Sequence, residues 1–287
     1  MIQSIKNRAF IGVLALSAAS CTAPIDIETG DSPPVVSIYG CFTDELKQQS
    51  ITVSVSSPYF DSQPNSALPG ALVEINVSDG EVFTLVEDPA HPGHYQTPNE
   101  VAGIPGLAYR LTVKTDIDND GVQELYSATS TMPEAMTVDS IRIKSVSAMG
   151  NQSYELYVYA QDSPGEDYYL GIYEINGTLF DKISKYSLLN DDMFNEQYMK
   201  GWSLGRFGTM DDDDDNDRIR LKPGDVVILH FSRIEKGYYN FIQQCRNGMN
   251  GESPFSGPAA NMATDISGSG VGYFTTCAVS KTTAMVE

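Results

Sequence analysis

Apolar and polar positions alternate along most of this chain. VVSIYG (35–40), SITVSVS (50–56), ALVEINVS (71–78), EVFTLVE (81–87), LAYRLTVKT (107–115) and ELYSATST (124–131) carry β-branched or aromatic residues at alternating positions. That is the period of a strand with one buried face. Gly, Pro, Asn and Asp separate the runs, and the Asp-Gly pair in VSDGEV predicts a two-residue hairpin. Pro133 in STMPEAMTVDSIRIKS closes this series, and a new run opens near Val138. Further on, YELYVYAQD (154–162), DYYLGIYEIN (167–176), DVVILHFSRI (225–234) and VGYFTTCAVSK (271–281) again read as strands. One segment breaks the period. In KGYYNFIQQCRNG, Tyr238, Phe241, Ile242 and Cys245 recur at helical spacing and Gly248 can end the turn, which predicts one amphipathic helix at about 236–246.

The expected fold is therefore all-β, in two parts. Residues 35–133 form an N-terminal sandwich, and 138–287 form a second β-rich, sandwich-like domain carrying the helix. Within GHYQTPNEVAGIPGLAYRLTV, a Gly-x-Tyr and a Pro-Gly-x-x-Tyr lead into an alternating strand. This resembles prealbumin-like and immunoglobulin-like sandwiches.

The N-terminus has a different logic. Lys6 and Arg8 form a short positive region, Phe10 to Leu16 is a brief apolar run, and Ala18, Ala19 and Ser20 lead into Cys21. The run is too short to cross a bilayer as a helix, which takes about 20 residues, and has the length of a secretory leader. Small residues followed at once by cysteine resemble a bacterial lipoprotein leader, although Ala18 stands where such boxes usually carry leucine. Residues 1–20 are expected to be removed and Cys21 to be acylated, with 21–34 as a polar tether. Each buried CH₂ of an acyl chain contributes about 0.8 kcal/mol, so a multiply acylated cysteine holds a domain at a membrane without a spanning helix.

Composition narrows the partners. The net charge of −20 becomes −22 once Lys6 and Arg8 leave. So acidic a surface repels phosphate backbones and argues against nucleic acid as a partner. Beyond Cys21 only Cys41, Cys245 and Cys277 remain, enough for one internal disulfide. The pairing expected is Cys245 with Cys277, since both lie in the C-terminal part.

Candidate chemistry is sparse. Asp116, Asp118 and Asp120, followed by Gly121, reproduce the first half of a calcium loop and are a candidate for weakly bound Ca²⁺. The twelfth position is Ser127 and not the bidentate glutamate, and the competing reading is a solvated hairpin tip. Residues 211–217 hold six aspartates in seven positions, a self-repelling solvated block. His91 and His94 flank Pro-Gly in a turn with no third ligand nearby in sequence. GWSLG (201–205) matches the nucleophile elbow, but neither an apolar strand before Ser203 nor a helix after it is evident. The segment reads as a loop, and His230 as an ordinary strand residue. No catalytic residue is expected. Ser140 in Asp-Ser-Ile (139–141) resembles the O-glycosylation acceptor of Bacteroidota.

The lipobox cysteine, VVSIYG, SSPYF (56–60), ALVEINVSDG (71–80), TSTMP (129–133), NDDMFN (190–195), LKPGDVVILHFSRIEKGYYNFI (221–242), SPFSGPAAN (253–261) and ISGSGVGYFTTCAVS (266–280) follow in order. This series resembles the Bacteroidota lipoproteins called the domain of unknown function 4249 family. Members are typically encoded beside TonB-dependent outer-membrane receptors. The resemblance implies a non-enzymatic outer-membrane lipoprotein, anchored by lipid, that captures a small ligand for such a receptor or docks on it. The alternative is a fimbrial or adhesin-type surface subunit, which also starts as a lipoprotein and uses similar sandwiches.

Overall fold

The alternating runs become strands in a computed structural model that describes residues 35–56, 65–118, 120–148, 151–193, 195–210, 218–249 and 263–287. The first half contributes β1 (Val36–Thr43), β2 (Ser50–Val55), β3 (Ser66–Ala67), β4 (Leu72–Val77), β5 (Val82–Glu87), β6 (His94–Gln96), β7 (Ala108–Thr115) and β8 (Glu124–Thr131). The hairpin expected at Asp79-Gly80 does join β4 to β5, but through a three-residue turn, 78–80, and not a two-residue one. The Val77 N–H donates to the Glu81 carbonyl, Gly80 takes φ +101° and its N–H donates to the Val77 carbonyl at 3.0 Å. Only glycine adopts that backbone cheaply.

The later strands are β9 (Val138–Ala148), β10 (Asn151–Gln161), β11 (Tyr168–Ile175), β12 (Thr178–Phe180), β13 (Ser187–Asn190), β14 (Tyr198–Thr209), β15 (Arg220–Leu221), β16 (Val226–Ile234), β17 (Val271–Cys277) and β18 (Val279–Met285). A 3₁₀ turn occupies Ile183–Lys185, and the helix α1 runs over Lys236–Met249. Among the described residues the chain is mainly β with this one α-helix, as the periodicity predicts.

The first sheet has the order β17-β1-β2-β6-β5-β4-β7-β8, with β3 beside β2. Its outermost strands meet, where the Thr276 N–H donates to Ser130 Oγ at 3.0 Å, and just ahead of β17 Ser267 Oγ accepts the Ser127 N–H at 3.1 Å. Between the folded-over layers lie Ile38, Val53, Ile75, Leu111 and Phe274, all buried. Each such side chain contributes about 1.5–3 kcal/mol by leaving water.

The second half pairs a four-stranded sheet, β15-β14-β10-β9, with a sheet of β12-β11-β16-β18 and β13 beside β11. Leu156, Val158 and Phe207 from the former share a core with Tyr173, Leu229 and Phe231 from the latter. Helix α1 covers part of the second sheet. Tyr238, Phe241, Ile242 and Cys245 bury against Tyr168, Leu170 and Ile234, and equally against Tyr273 and Cys277 of β17.

The expected boundary at 133–138 falls between β8 and β9, yet the chain after it does not stay on one side. Strand β17 returns to pair in parallel with β1, from Ser37 opposite Val271 to Thr43 opposite Cys277. Ala278 then separates β17 from β18, which pairs antiparallel with β16 in the other sheet. The single run read at 271–281 is thus two strands in two sheets, and Asp44 Oδ1 accepts the Val279 N–H at 2.9 Å just after the crossing.

Two expectations are corrected here. The segment around GWSLG is not a loop but the body of β14, hydrogen-bonded to β10 with two register irregularities. Glycines at 201, 205 and 208 interrupt its alternation and hide the strand from pattern reading. The expected Cys245–Cys277 bridge is absent. Cys277 sits instead beside Cys41, with sulfurs 3.1 Å apart, because the β1–β17 pairing brings residues 236 positions apart together. Cys245 packs from α1 into the same buried cluster.

Candidate functional site

A small concavity lies where α1, the 3₁₀ turn, β13 and β14 converge. It encloses about 350 Å³, within the size range of small-molecule pockets. Tyr173 and Phe207 meet edge to face at a centroid distance of 4.9 Å beneath it. The Tyr173 hydroxyl donates to Ser187 Oγ at 2.7 Å, and burial drives its pKa well above the ordinary tyrosine value. Gly205 permits this arrangement, since a Cβ there would lie 2.4 Å from the Tyr173 hydroxyl.

The polar wall of the pocket is cationic. Lys185 comes from the 3₁₀ turn, Arg206 from β14, Arg218 from the approach to β15 and Arg246 from the last turns of α1. Arg206 lies 3.7 Å from Glu155. Among the described residues, neither Arg218 nor Arg246 meets a carboxylate within ion-pair distance. Four cations around one small concavity stand out in a chain whose net charge is −20. They focus a positive potential on a partly apolar cavity, which suits an anionic small molecule with an apolar portion.

The residues singled out from sequence fall elsewhere. Cys21 and the aspartate run 211–217 lie outside the described residues. Asp116, Asp118 and Asp120 come together at the tip between β7 and β8, exposed or half-buried. Their carboxylates hold the turn itself: Asp116 accepts the Asp120 and Gly121 N–H groups and Asp120 accepts that of Val122. Ser140 is half-buried within β9, opposite Tyr159. His91 pairs with Asp88 at 2.8 Å while His94 bonds Thr52 at 3.3 Å, so the two imidazoles serve different partners.

Ser203 donates to Glu155 Oε1 at 2.6 Å, which together with Tyr157 holds the Glu155 carboxyl below the usual range. His230 bonds Glu174 at 3.1 Å from the other sheet. Serine and histidine thus point to separate carboxylates, and no nucleophile–base pair forms. Beside α1 lies a buried tyrosine cluster, where Tyr39 and Tyr238 share a 2.7 Å hydrogen bond and burial pushes Tyr39 up to about 12. Cys41 and Cys277 lie in the same layer with their thiols in contact, and the neighbouring sulfur together with burial pushes the Cys41 thiol up.

The pocket was not legible in advance because its four cations are scattered from 185 to 246 over separate elements.

The order of motifs along the chain has a counterpart among known families. The family described as Domain of unknown function (DUF4249) matches residues 22–283. The chain belongs to that family. The match runs from just after Cys21 almost to the end of β18, so it spans both β-rich parts, α1 and the returning strand. No curated protein matches the chain.

Proposed function

We propose that this protein is a non-enzymatic, lipid-anchored outer-membrane lipoprotein that captures a small anionic ligand as the accessory component of a TonB-dependent uptake system. The observation that carries the reading is the cationic pocket of Lys185, Arg206, Arg218 and Arg246 in an otherwise strongly acidic chain. Cys21 after a leader-like segment supports the anchor. Among the described residues no helix is long and apolar enough to cross a membrane. The separate engagement of Ser203 and His230 supports a binding role over hydrolysis. Membership of a family resembling receptor-paired lipoproteins supports the partner.

The fimbrial alternative asks for a terminal strand that leaves its sheet to enter a neighbour. Here β17 and β18 are both paired within the chain, to β1 and β16, which favours capture.

The test has two arms. Tagged protein isolated from outer membranes should retain a TonB-dependent receptor at near-stoichiometric yield, and its absence would count against the partner. Titration of the purified chain with citrate and inorganic phosphate should give saturable binding that Arg218→Ala with Arg246→Ala reduces at least tenfold. Binding indifferent to both substitutions would remove the pocket from the reading.

A further inference from the structure

At one end of the second half the chain crosses twice between its two sheets. Residues 162–167 lead from β10 to β11, and 191–197 lead from β13 back to β14. The first crossing carries Asp162 and Asp167, the second Asp191, and their exposures are only 3, 9 and 2%. One carboxylate oxygen from each lies within 4.8 Å of the other two.

The groups facing this cluster do not satisfy it. The Tyr169 hydroxyl donates to Asp162 Oδ1 and, at 3.3 Å, to Asp167 Oδ2. The Glu196 N–H donates to Asp162 Oδ2 at 2.9 Å. Arg233 on β16 brings Nε to 3.3 Å from Asp167 Oδ1, but its terminal nitrogen is directed to Ser163 Oγ. Lys236, the next cation along, pairs with Glu166 at the surface. Three carboxylates against one guanidinium leave two uncompensated negative charges. Independently of that crowding, Asp191 Oδ2 is buried with no hydrogen-bond partner. A buried carboxylate oxygen without a donor is a costly arrangement that native proteins rarely leave unmatched.

We propose that Asp162, Asp167 and Asp191 bind a divalent cation of the calcium class. The charge deficit is that of one divalent ion. Calcium–oxygen distances are about 2.3–2.6 Å, so two ligands of one ion lie at most about 5 Å apart, which accommodates the observed spacing. Magnesium requires a near-ideal octahedron at about 2.0–2.1 Å and usually keeps several of its waters, which a buried cluster of three carboxylates does not favour. The three cluster ligands are all oxygen donors, with no histidine or cysteine among them, which disfavours zinc. Bound there, the ion ties both sheet crossings to one point.

The full chain, stripped with a chelator and dialysed, is titrated with CaCl₂ or MgCl₂ while its thermal midpoint is followed. Calcium at a hundredfold excess over its Kd should raise the midpoint by roughly 5–11 °C, with magnesium weaker. Asp191→Asn should abolish the shift, and Asp118→Asn, in the exposed β7–β8 tip, should preserve it. No calcium shift in the unsubstituted chain, or a shift that survives Asp191→Asn or vanishes with Asp118→Asn, overturns the assignment. Should Asp191→Asn fail to fold, Tb³⁺ emission sensitised by the adjacent Tyr169 decides the matter in the Asp118→Asn chain: calcium-competed emission supports the site and its absence overturns it.

Discussion

Gly272 offers the sharpest test of the returning strand. It lies opposite Ile38 in the β1–β17 ladder with φ +109°, and a Cβ there would sit 2.0 Å from the Ile38 carbonyl oxygen. The obstacle is backbone, so no side-chain rotation relieves it. Holding a non-glycine residue in this region costs about 1–3 kcal/mol, and forcing an extra methyl into packed structure costs about 1–3 kcal/mol more. Gly272→Ala should therefore destabilise the chain by about 2–6 kcal/mol. For a domain of this size about 2–4 °C of melting temperature is lost per kcal/mol, so the midpoint should fall by at least ~4 °C. Gly80 supplies the control, since its φ is +101° but a Cβ there meets nothing within 4 Å. Gly80→Ala carries the backbone cost alone, and urea unfolding followed by circular dichroism measures both variants. If Gly272→Ala is no more destabilising than Gly80→Ala, β17 does not lie against β1 as described.

Three further outcomes are expected. Asp265, whose carboxyl accepts the Phe274 N–H, is pushed by burial from its ordinary 3.8 up to about 6. Between those values the folded chain holds a proton that the unfolded chain has released, so this group makes stability fall as pH rises from about 4 to about 6; in urea melts across that window Asp265→Asn should flatten the slope, and an unchanged slope contradicts the assignment. Mild oxidation with oxidised glutathione, then peptide mapping without reduction, should recover Cys41 linked to Cys277, whereas a Cys245–Cys277 peptide would contradict the sulfur contact. Ile242, fully buried between α1 and its neighbours, should cost about 2–5 kcal/mol when cut to alanine, measured by chemical denaturation; a loss under about 1 kcal/mol would detach the helix from its core.

What could be read in advance was whatever the chain encodes locally. Strand β7 buries every second residue, and β1 up to Phe42 and β16 up to Phe231 do the same, so their period is visible in sequence. Helix α1 places Tyr238, Phe241, Ile242 and Cys245 on one face, a spacing that a strand cannot use. Strand β14 escaped because it depends on β10 for its order, and its own glycines carry no periodic signal. Pro133 marks a true break between β8 and β9, but nothing local announces that residues 271–277 return to β1. Parallel pairing over such a separation is fixed by tertiary packing, and the Cys41–Cys277 contact was hidden with it. The Asp162, Asp167 and Asp191 cluster has no motif spacing at all, since two sheet crossings assemble it.

A chain synthesised from its N-terminus produces β1 long before the strand that flanks it. Until residues 271–277 emerge, the outer edge of β1 offers unpaired backbone groups to any extended segment nearby. Completion of the first half therefore waits for the last part of the polypeptide, and truncation just before Val271 exposes an adhesive edge instead of releasing an independent N-terminal module.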